Sequence, residues 1–180
     1  MNDSEIHDSV FLLMAYESIK YILSKKIEKK EKNEEIEKLG MNLGEKITTF
    51  LMNDSQRDSD YFIDSKKILI FIAEDVWDFI FKDKNIKLIE DQKGIFYIYS
   101  GDIKLYNFLI VDKNYKLDEK SNAVIKFICG ILKGALNAFN IDSLITSNVK
   151  EWNNNERINK SNLLFEFSVN IVNYEFKNIK

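Results

Sequence analysis

The 180-residue sequence contains no proline, six glycines, one cysteine and one histidine. Average usage would place roughly nine prolines and about thirteen glycines in a chain of this length, so a loop-rich or largely disordered protein is excluded. Cys129 has no second cysteine with which to form a disulfide, and with His7 as the single histidine the chain cannot build a Cys/His zinc site. These absences favour a compact, regular fold in a reducing compartment.

The sequence also lacks a strong excess of charge and a long apolar run. Its 26 basic and 29 acidic residues give a net charge of -3, which does not attract polyanions, so no nucleic-acid partner is expected. No apolar segment approaches the roughly 18 residues that span a bilayer, and the acidic start of the chain is unlike a signal peptide. We therefore expect a cytoplasmic protein without an integral membrane segment.

Clusters of chemically reactive residues are missing as well. His7 has no Gly-x-Ser-x-Gly motif to serve, and no three glycines cluster as they do in a phosphate-binding loop. Glu74, Asp75 and Asp78 are explained by the solvated stripe of an amphipathic helix. We predict no catalytic residue, no metal site and no cofactor, and hence a protein that is not an enzyme.

Apolar periodicity divides the single domain, residues 1–180, into helices and strands. Four segments have apolar residues at helical spacing: His7 to about Lys30, Ile36 to about Asn53, Tyr61 to Asp83, and Ser121 to about Asn140. Four segments read as extended: Ile95 to Tyr99, Ile103 to Val111, Ile141 to Val149, and Leu163 to Ile171. The first two would form a hairpin that starts at Gly94 and turns at Gly101. The predicted fold is α+β, in the order ααα-ββ-α-ββ, with helices packed on a four-stranded antiparallel sheet.

Three other features complete the prediction. The first helix carries apolar residues on two faces, of which one can serve the core and the other a partner. The glycine pairs Gly40/Gly44 and Gly130/Gly134 are each four residues apart, which leaves room for a second backbone to approach a helix closely. The mixed-charge run 25–38 is interpreted as a solvated connection between helices, and the Asn-rich run 152–162 as a long loop.

Four segments covering nearly the whole chain occur in the order seen in a known family. They are Phe11–Met14, the Leu39-Gly40-x-x-x-Gly44 helix with Ile47 and Leu51, the Phe71–Lys82 block with its Asp75-x-Trp77 motif leading into Gly94–Ile98, and Phe127–Leu136 with both glycines of the second pair. With these segments the chain resembles the small subunits of the TRAPP (transport protein particle) tethering complex, and among them the subunit-6 type.

The resemblance implies an α/β plait, in agreement with the predicted order of elements. It implies a structural subunit of a vesicle-tethering and Rab nucleotide-exchange complex in ER-to-Golgi or intra-Golgi traffic, peripheral to those membranes. The implied partners are a subunit-3-type paralogue, bound through the N-terminal helices, and other TRAPP subunits; a homodimer is the open alternative for the isolated chain. The residues expected in this interface are Leu12, Tyr16, Ile19, Leu23, Gly40, Leu43, Gly44 and Ile47.

A second interpretation is a module that binds a hydrophobic small molecule or lipid, because the chain is similar in fold to 4-vinyl-reductase-type domains. The aromatic third helix would then line a pocket, although dense core packing explains the same rings. Subunit 3 of the TRAPP family carries a fatty-acylated cysteine shortly before its third helix. This sequence has Tyr61, Phe62 and Ile63 in that region, which excludes acylation there.

Overall fold

The computed structural model describes residues 3–55, 57, 59–83, 86–101, 103, 119–151 and 163–174. Within them lie four helices: α1 (Asp3–Ser24), α2 (Lys29–Asp54), α3 (residues 65–81) and α4 (Glu119–Asn137). The strands are β1 (Lys87–Glu90), β2 (Phe96–Ser100), β3 (Ile141–Glu151) and β4 (Leu163–Tyr174). All strand pairs are antiparallel, in the order β1-β2-β4-β3. The predicted order ααα-ββ-α-ββ and the α+β class are confirmed.

Helices α2 and α4 make the most extensive contact between elements in the described part of the chain. A β-carbon added at Gly40 or Gly44 would overlap the backbone of α4. One added at Gly130 or Gly134 would overlap the backbone of α2. The two pairs predicted to permit close helix contacts therefore face each other, and the ion pair between Lys133 and Glu37 lies beside them.

Helix α4 is central because it also packs against the sheet. It has thirteen buried residues, including Phe127, Ile128 and Leu132. The opposing sheet face supplies Phe96 and Ile98 from β2, together with Phe165, Phe167 and Val169 from β4, all buried. The alternating apolar residues of β4 thus lie on one face of the sheet, in the core, as the sequence predicts.

Helix α3 begins later than predicted and is not uniform. A short 3-10 helix, Ser59–Ile63, precedes it, and the Asp64 side chain caps α3 by accepting a hydrogen bond of 2.9 Å from the backbone N–H of Lys66. A π-helical turn, Ile72–Val76, interrupts the α-helix. Helix α3 ends where Lys82 adopts the left-handed conformation, with φ of 52°.

The predicted position of the hairpin is wrong by one strand. It is formed by β1 and β2, and Gly94, with φ of +74°, lies in the turn between them. The alternation signal misses β1 because that strand has only two apolar residues, Leu88 and Ile89. Of the predicted second strand, Ile103–Val111, only Ile103 is within the described residues, and it is buried.

The mixed-charge run 25–38 is also different from the prediction. Helix α2 begins at Lys29, so most of this run is helical. Lysine and glutamate are good helix formers, and Lys25 pairs with Glu35 at 2.6 Å while Lys32 donates to the carbonyl oxygen of Leu23 at 2.7 Å. The run therefore ties α1 to α2. The predicted loop 152–162 lies outside the described residues.

Asp91 closes the hairpin turn. Its Oδ1 accepts backbone N–H hydrogen bonds from Ile95 at 2.9 Å and Lys93 at 2.8 Å, and these hold the pKa of Asp91 below its ordinary value. A carboxylate with a lowered pKa stabilises the fold above its unfolded pKa, and this contribution is lost as the pH falls through the folded value. We expect Asp91→Asn to be less stable than the parent at pH 7, with the difference shrinking toward acid pH. Urea unfolding of both proteins from pH 7 to acid pH tests this prediction, and a difference in stability that does not change with pH would contradict it.

Candidate interaction surface

Helix α1 presents large apolar side chains to solvent. Leu13, Met14 and Tyr21 are 49%, 67% and 66% exposed, and we call them the α1 apolar face. Ala15, Ile19 and Ile22 lie on the other side of the helix and are buried in the core. The helix is therefore two-faced, as its sequence predicts. Met14 and Tyr21 are seven residues apart, about two helical turns, which places them on one stripe.

A groove of about 560 Å³ runs between α1 and α2 beside this face. Its lining combines apolar and charged side chains, namely Glu17, Ser18, Tyr21, Ile22, Lys25, Glu35, Lys38, Leu39 and Asn42. The hydrogen bond to Glu35 raises the pKa of Lys25, so this lysine is charged at neutral pH. The ammonium also lies 5.3 Å from the centroid of the Tyr21 ring. The groove thus offers apolar contact beside a fixed ion pair.

The structure separates the predicted interface residues into three groups. Tyr16, Leu23, Leu43 and Ile47 are partly buried at the edge of the core, where some of each side chain is still accessible. Ile19, Gly40 and Gly44 are buried within the chain itself. Leu12 lies in α1, and its side chain is outside the described part. The three residues packed inside the chain present no surface to a second chain in this arrangement, and the interface role of the predicted set stays a prediction.

The sequence prediction missed an aromatic pair next to α2. Phe50, near the end of α2, and Phe79 of α3 are 58% and 44% exposed, with ring centroids 6.3 Å apart. The ammonium of Lys82 lies 5.4 Å from the Phe79 ring. Helical periodicity could have identified Phe50 as exposed, because it does not lie on the buried face of α2 formed by Ile36, Gly40, Gly44 and Thr48. The partner ring comes from another helix, which periodicity does not reveal.

The aromatic residues of α3 that would line a ligand pocket contact other rings instead. Trp77 lies 4.5 Å from Phe81 and 5.7 Å from Phe167, measured between ring centroids. Phe62, in the short helix before α3, lies 5.2 Å from both Phe71 and Phe139. These spacings are those of packed aromatic clusters. The rings therefore fill the core between α3, α4 and the sheet.

Neither a reactive thiol nor a metal-binding cluster is found among the described residues. Cys129 is buried, and its burial raises the pKa of the thiol, which disfavours the reactive thiolate. Across the described ranges no three His, Cys, Asp or Glu side chains are placed to hold a metal ion. None of the helices described here is both long enough and apolar enough to cross a membrane.

Among the described residues, four helices packed with a four-stranded antiparallel sheet define a domain of the α+β class. Residues 11–167 match the family described as Transport protein particle (TRAPP) component. The chain belongs to this family of TRAPP components. Its members are non-catalytic structural subunits, so the prediction that the chain is not an enzyme is confirmed by its family.

Individual relatives agree with this assignment. The chain is 26% identical over 142 residues to trafficking protein particle complex subunit 6b of Danio rerio, covering 79% of this chain and 88% of the relative. It is 25% identical over 108 residues to subunit 6B of Homo sapiens, covering 60% and 67%. The fold matches a crystal structure of subunit 3 from Naegleria fowleri covalently bound to palmitic acid, with a TM-score of 0.73, 16% identity, and coverage of 96% of this chain and 99% of that chain.

Proposed function

We propose that this protein is a structural subunit of a TRAPP-like complex that tethers vesicles and supports Rab nucleotide exchange in ER-to-Golgi or intra-Golgi traffic. It acts in the cytoplasm, peripheral to these membranes through the complex, by forming a heterodimer with a subunit-3-type paralogue. The family and the subunit-6 relatives support the role. The exposure of the α1 apolar face is the single observation that carries the dimer interface.

Desolvation is the physical reason why this face fits a partner helix. Burying a large apolar side chain contributes about 1.5 to 3 kcal/mol relative to leaving it in water. Met14 and Tyr21 are both about two thirds exposed and lie on one stripe. Interfaces favour Tyr and Met at their centres and exclude unpaired charge there. A helix from the paralogue, seated along α1 and the groove beside α2, would cover both side chains.

We expect the double substitution Met14→Glu/Tyr21→Glu to weaken heterodimerisation at least about tenfold, because it would replace two apolar contacts with two carboxylates that lose their hydration in the contact. Both positions are exposed, so the isolated variant keeps its fold and unfolds at the same urea concentration as the parent. The measurement is the dissociation constant for a purified subunit-3-type paralogue from the same cell.

Val172→Glu is the matched control, since Val172 is 69% exposed and lies on β4 in the sheet. It should bind the paralogue as the parent does. Equal dissociation constants for the parent, the double variant and Val172→Glu would show that the α1 apolar face is not part of the interface. If the parent protein itself does not bind the paralogue, the heterodimer proposal is wrong.

Binding of an apolar ligand is the less favoured function. The rings predicted to line its pocket contact one another around Trp77 and Phe62, and the only cysteine, Cys129, is buried. Palmitic acid is held covalently by the subunit 3 of Naegleria fowleri, whereas Tyr61, Phe62 and Ile63 precede α3 in this chain. Native mass spectrometry of the purified protein that shows a bound lipid would reverse this preference.

A further inference from the structure

The two edges of the sheet in the described part of the chain differ in kind. Strand β1 has four residues and carries Lys87 and Glu90, which makes a short, charged edge. Strand β3 has eleven residues, and its central run 143–149, Ser-Leu-Ile-Thr-Ser-Asn-Val, has no charged residue, glycine or proline. An edge strand presents a row of backbone N–H and C=O groups that can pair with another strand, and charges or prolines normally protect it. The centre of β3 lacks these protections.

The charges of β3 are placed symmetrically about its centre. Asp142 and Lys150 are both exposed, and each is four residues from Thr146. If two β3 strands pair antiparallel about a two-fold axis through Thr146, Asp142 of each copy faces Lys150 of the other. Thr146 then faces the same residue of the second copy. Opposite charges and threonine pairs directly across strands are both stabilising.

Symmetry leaves few alternative registers. A two-fold axis that relates two antiparallel edge strands is perpendicular to the sheet, so residues that face each other point to the same side of the sheet. The axis must therefore pass through a residue position, and moving it by one residue shifts the pairing by two. Centring the axis on Ile145 places Asp142 opposite Asn148, and centring it on Ser147 places Lys150 opposite Leu144. Thr146 is therefore the centre that pairs both charges.

The surroundings of β3 agree with this register. Lys150 already contacts Glu166 of β4 at 2.9 Å on the same sheet face, so its ammonium would lie between two carboxylates. Leu144, which is 56% exposed, would face Asn148 and lie diagonally beside Thr146 of the second copy. On the core face, Ile145 would face Ser147.

We propose that a second copy of this chain pairs with β3, antiparallel and centred on Thr146, to join the two four-stranded sheets into one of eight strands. This interface uses neither α1 nor α2, so it is independent of the proposed heterodimer and compatible with it. A strand-mediated contact of this type gains affinity from main-chain hydrogen bonds and specificity from the cross-strand pairs.

A single cysteine tests the geometry directly. In full-length protein under mild oxidation, Thr146→Cys should form a covalent dimer, because facing residues in antiparallel strands have Cα atoms about 4.5 to 5.5 Å apart, within disulfide range. Asn148→Cys is the matched control on the same strand face. Its two copies would be offset by four residues, roughly 13 Å along the strand, too far to bridge. Native Cys129 is buried, so the background is low.

We expect at least about a tenfold higher dimer yield for Thr146→Cys than for Asn148→Cys. Similar yields for the two, or no covalent dimer from either, would overturn the proposal. Reversible association is measured by sedimentation in the Met14→Glu/Tyr21→Glu background, which removes any dimer formed through α1. Asp142→Lys should weaken that association about tenfold or more, since two attractions become two repulsions.

Glu45→Lys on α2 is the control with the same change of charge, and it should leave the association unchanged. A protein that is monomeric in that background at all concentrations, or equal weakening by both lysine substitutions, would also overturn the β3 dimer. The covalent dimer of Thr146→Cys forms whether or not the chain binds a subunit-3-type paralogue, so failure of one proposal is distinguishable from failure of the other.

Discussion

Gly134→Ala is expected to lower the free energy of unfolding by about 2 to 4 kcal/mol. The added methyl group would overlap the carbonyl oxygen of Met41 in α2, a backbone atom that cannot rotate away. Overpacking of this kind costs about 1 to 3 kcal/mol, and more where the backbone must move. Alanine returns up to about 1 kcal/mol through its better helix propensity. The cost of overpacking exceeds the gain in helix propensity, because α2 and α4 would have to separate along the whole contact that includes Gly40 and Gly44.

The other glycines provide the controls for this experiment. Nothing lies within 4 Å of a β-carbon built at Gly101, so Gly101→Ala should change stability by less than about 0.5 kcal/mol. Gly94 also has open space but a φ of +74°, so Gly94→Ala should cost about 1 kcal/mol through backbone conformation alone. Urea unfolding of the three variants measures their free energies of unfolding and so gives the order of their stabilities. A Gly134→Ala variant as stable as Gly101→Ala would contradict the close helix contact.

Arg57→Ala is expected to lower the free energy of unfolding by about 2 to 3 kcal/mol. The guanidinium carbon lies 4.9 Å from the ring centroids of both Tyr61 and Phe71, and one guanidinium nitrogen lies 2.7 Å from Oδ2 of Asp75. Each cation–π contact contributes about 0.5 to 1 kcal/mol, and a partly buried ion pair adds about 1 kcal/mol. Removing this side chain also leaves the carboxylate of Asp75 without its cation.

Arg57→Lys separates charge from shape. Lysine keeps the charge but loses the planar group that lies against the rings, so about half of the loss should remain. Asp75→Asn, combined with Arg57→Ala, completes a double-mutant cycle in which the coupling energy should be about 1 kcal/mol. A coupling near zero would show that the ion pair does not stabilise the junction between the short helix before α3 and the π-helical turn.

The ion pair at this junction could not be predicted from the sequence. Asp75 was predicted to lie on a solvated stripe of the third helix, because helical periodicity places it among polar residues. The structure instead pairs it with Arg57, which lies well before that helix. Periodicity describes one helix at a time, so it identified the polar stripe and not the cation that covers part of it.

Local pattern determined the order of elements, the two-faced character of α1 and the buried face of β4, because burial repeats every 3.6 residues in a helix and every two in a strand. Glycine spacing likewise predicted close helix contacts. Only the tertiary structure decided that Gly40/Gly44 meets Gly130/Gly134, that Ile19 is buried in the core, and that β3 lies at an edge of the sheet formed by the described residues. These outcomes depend on which distant segments pack together, and that choice is made by the shape and volume of the whole core rather than by any local repeat.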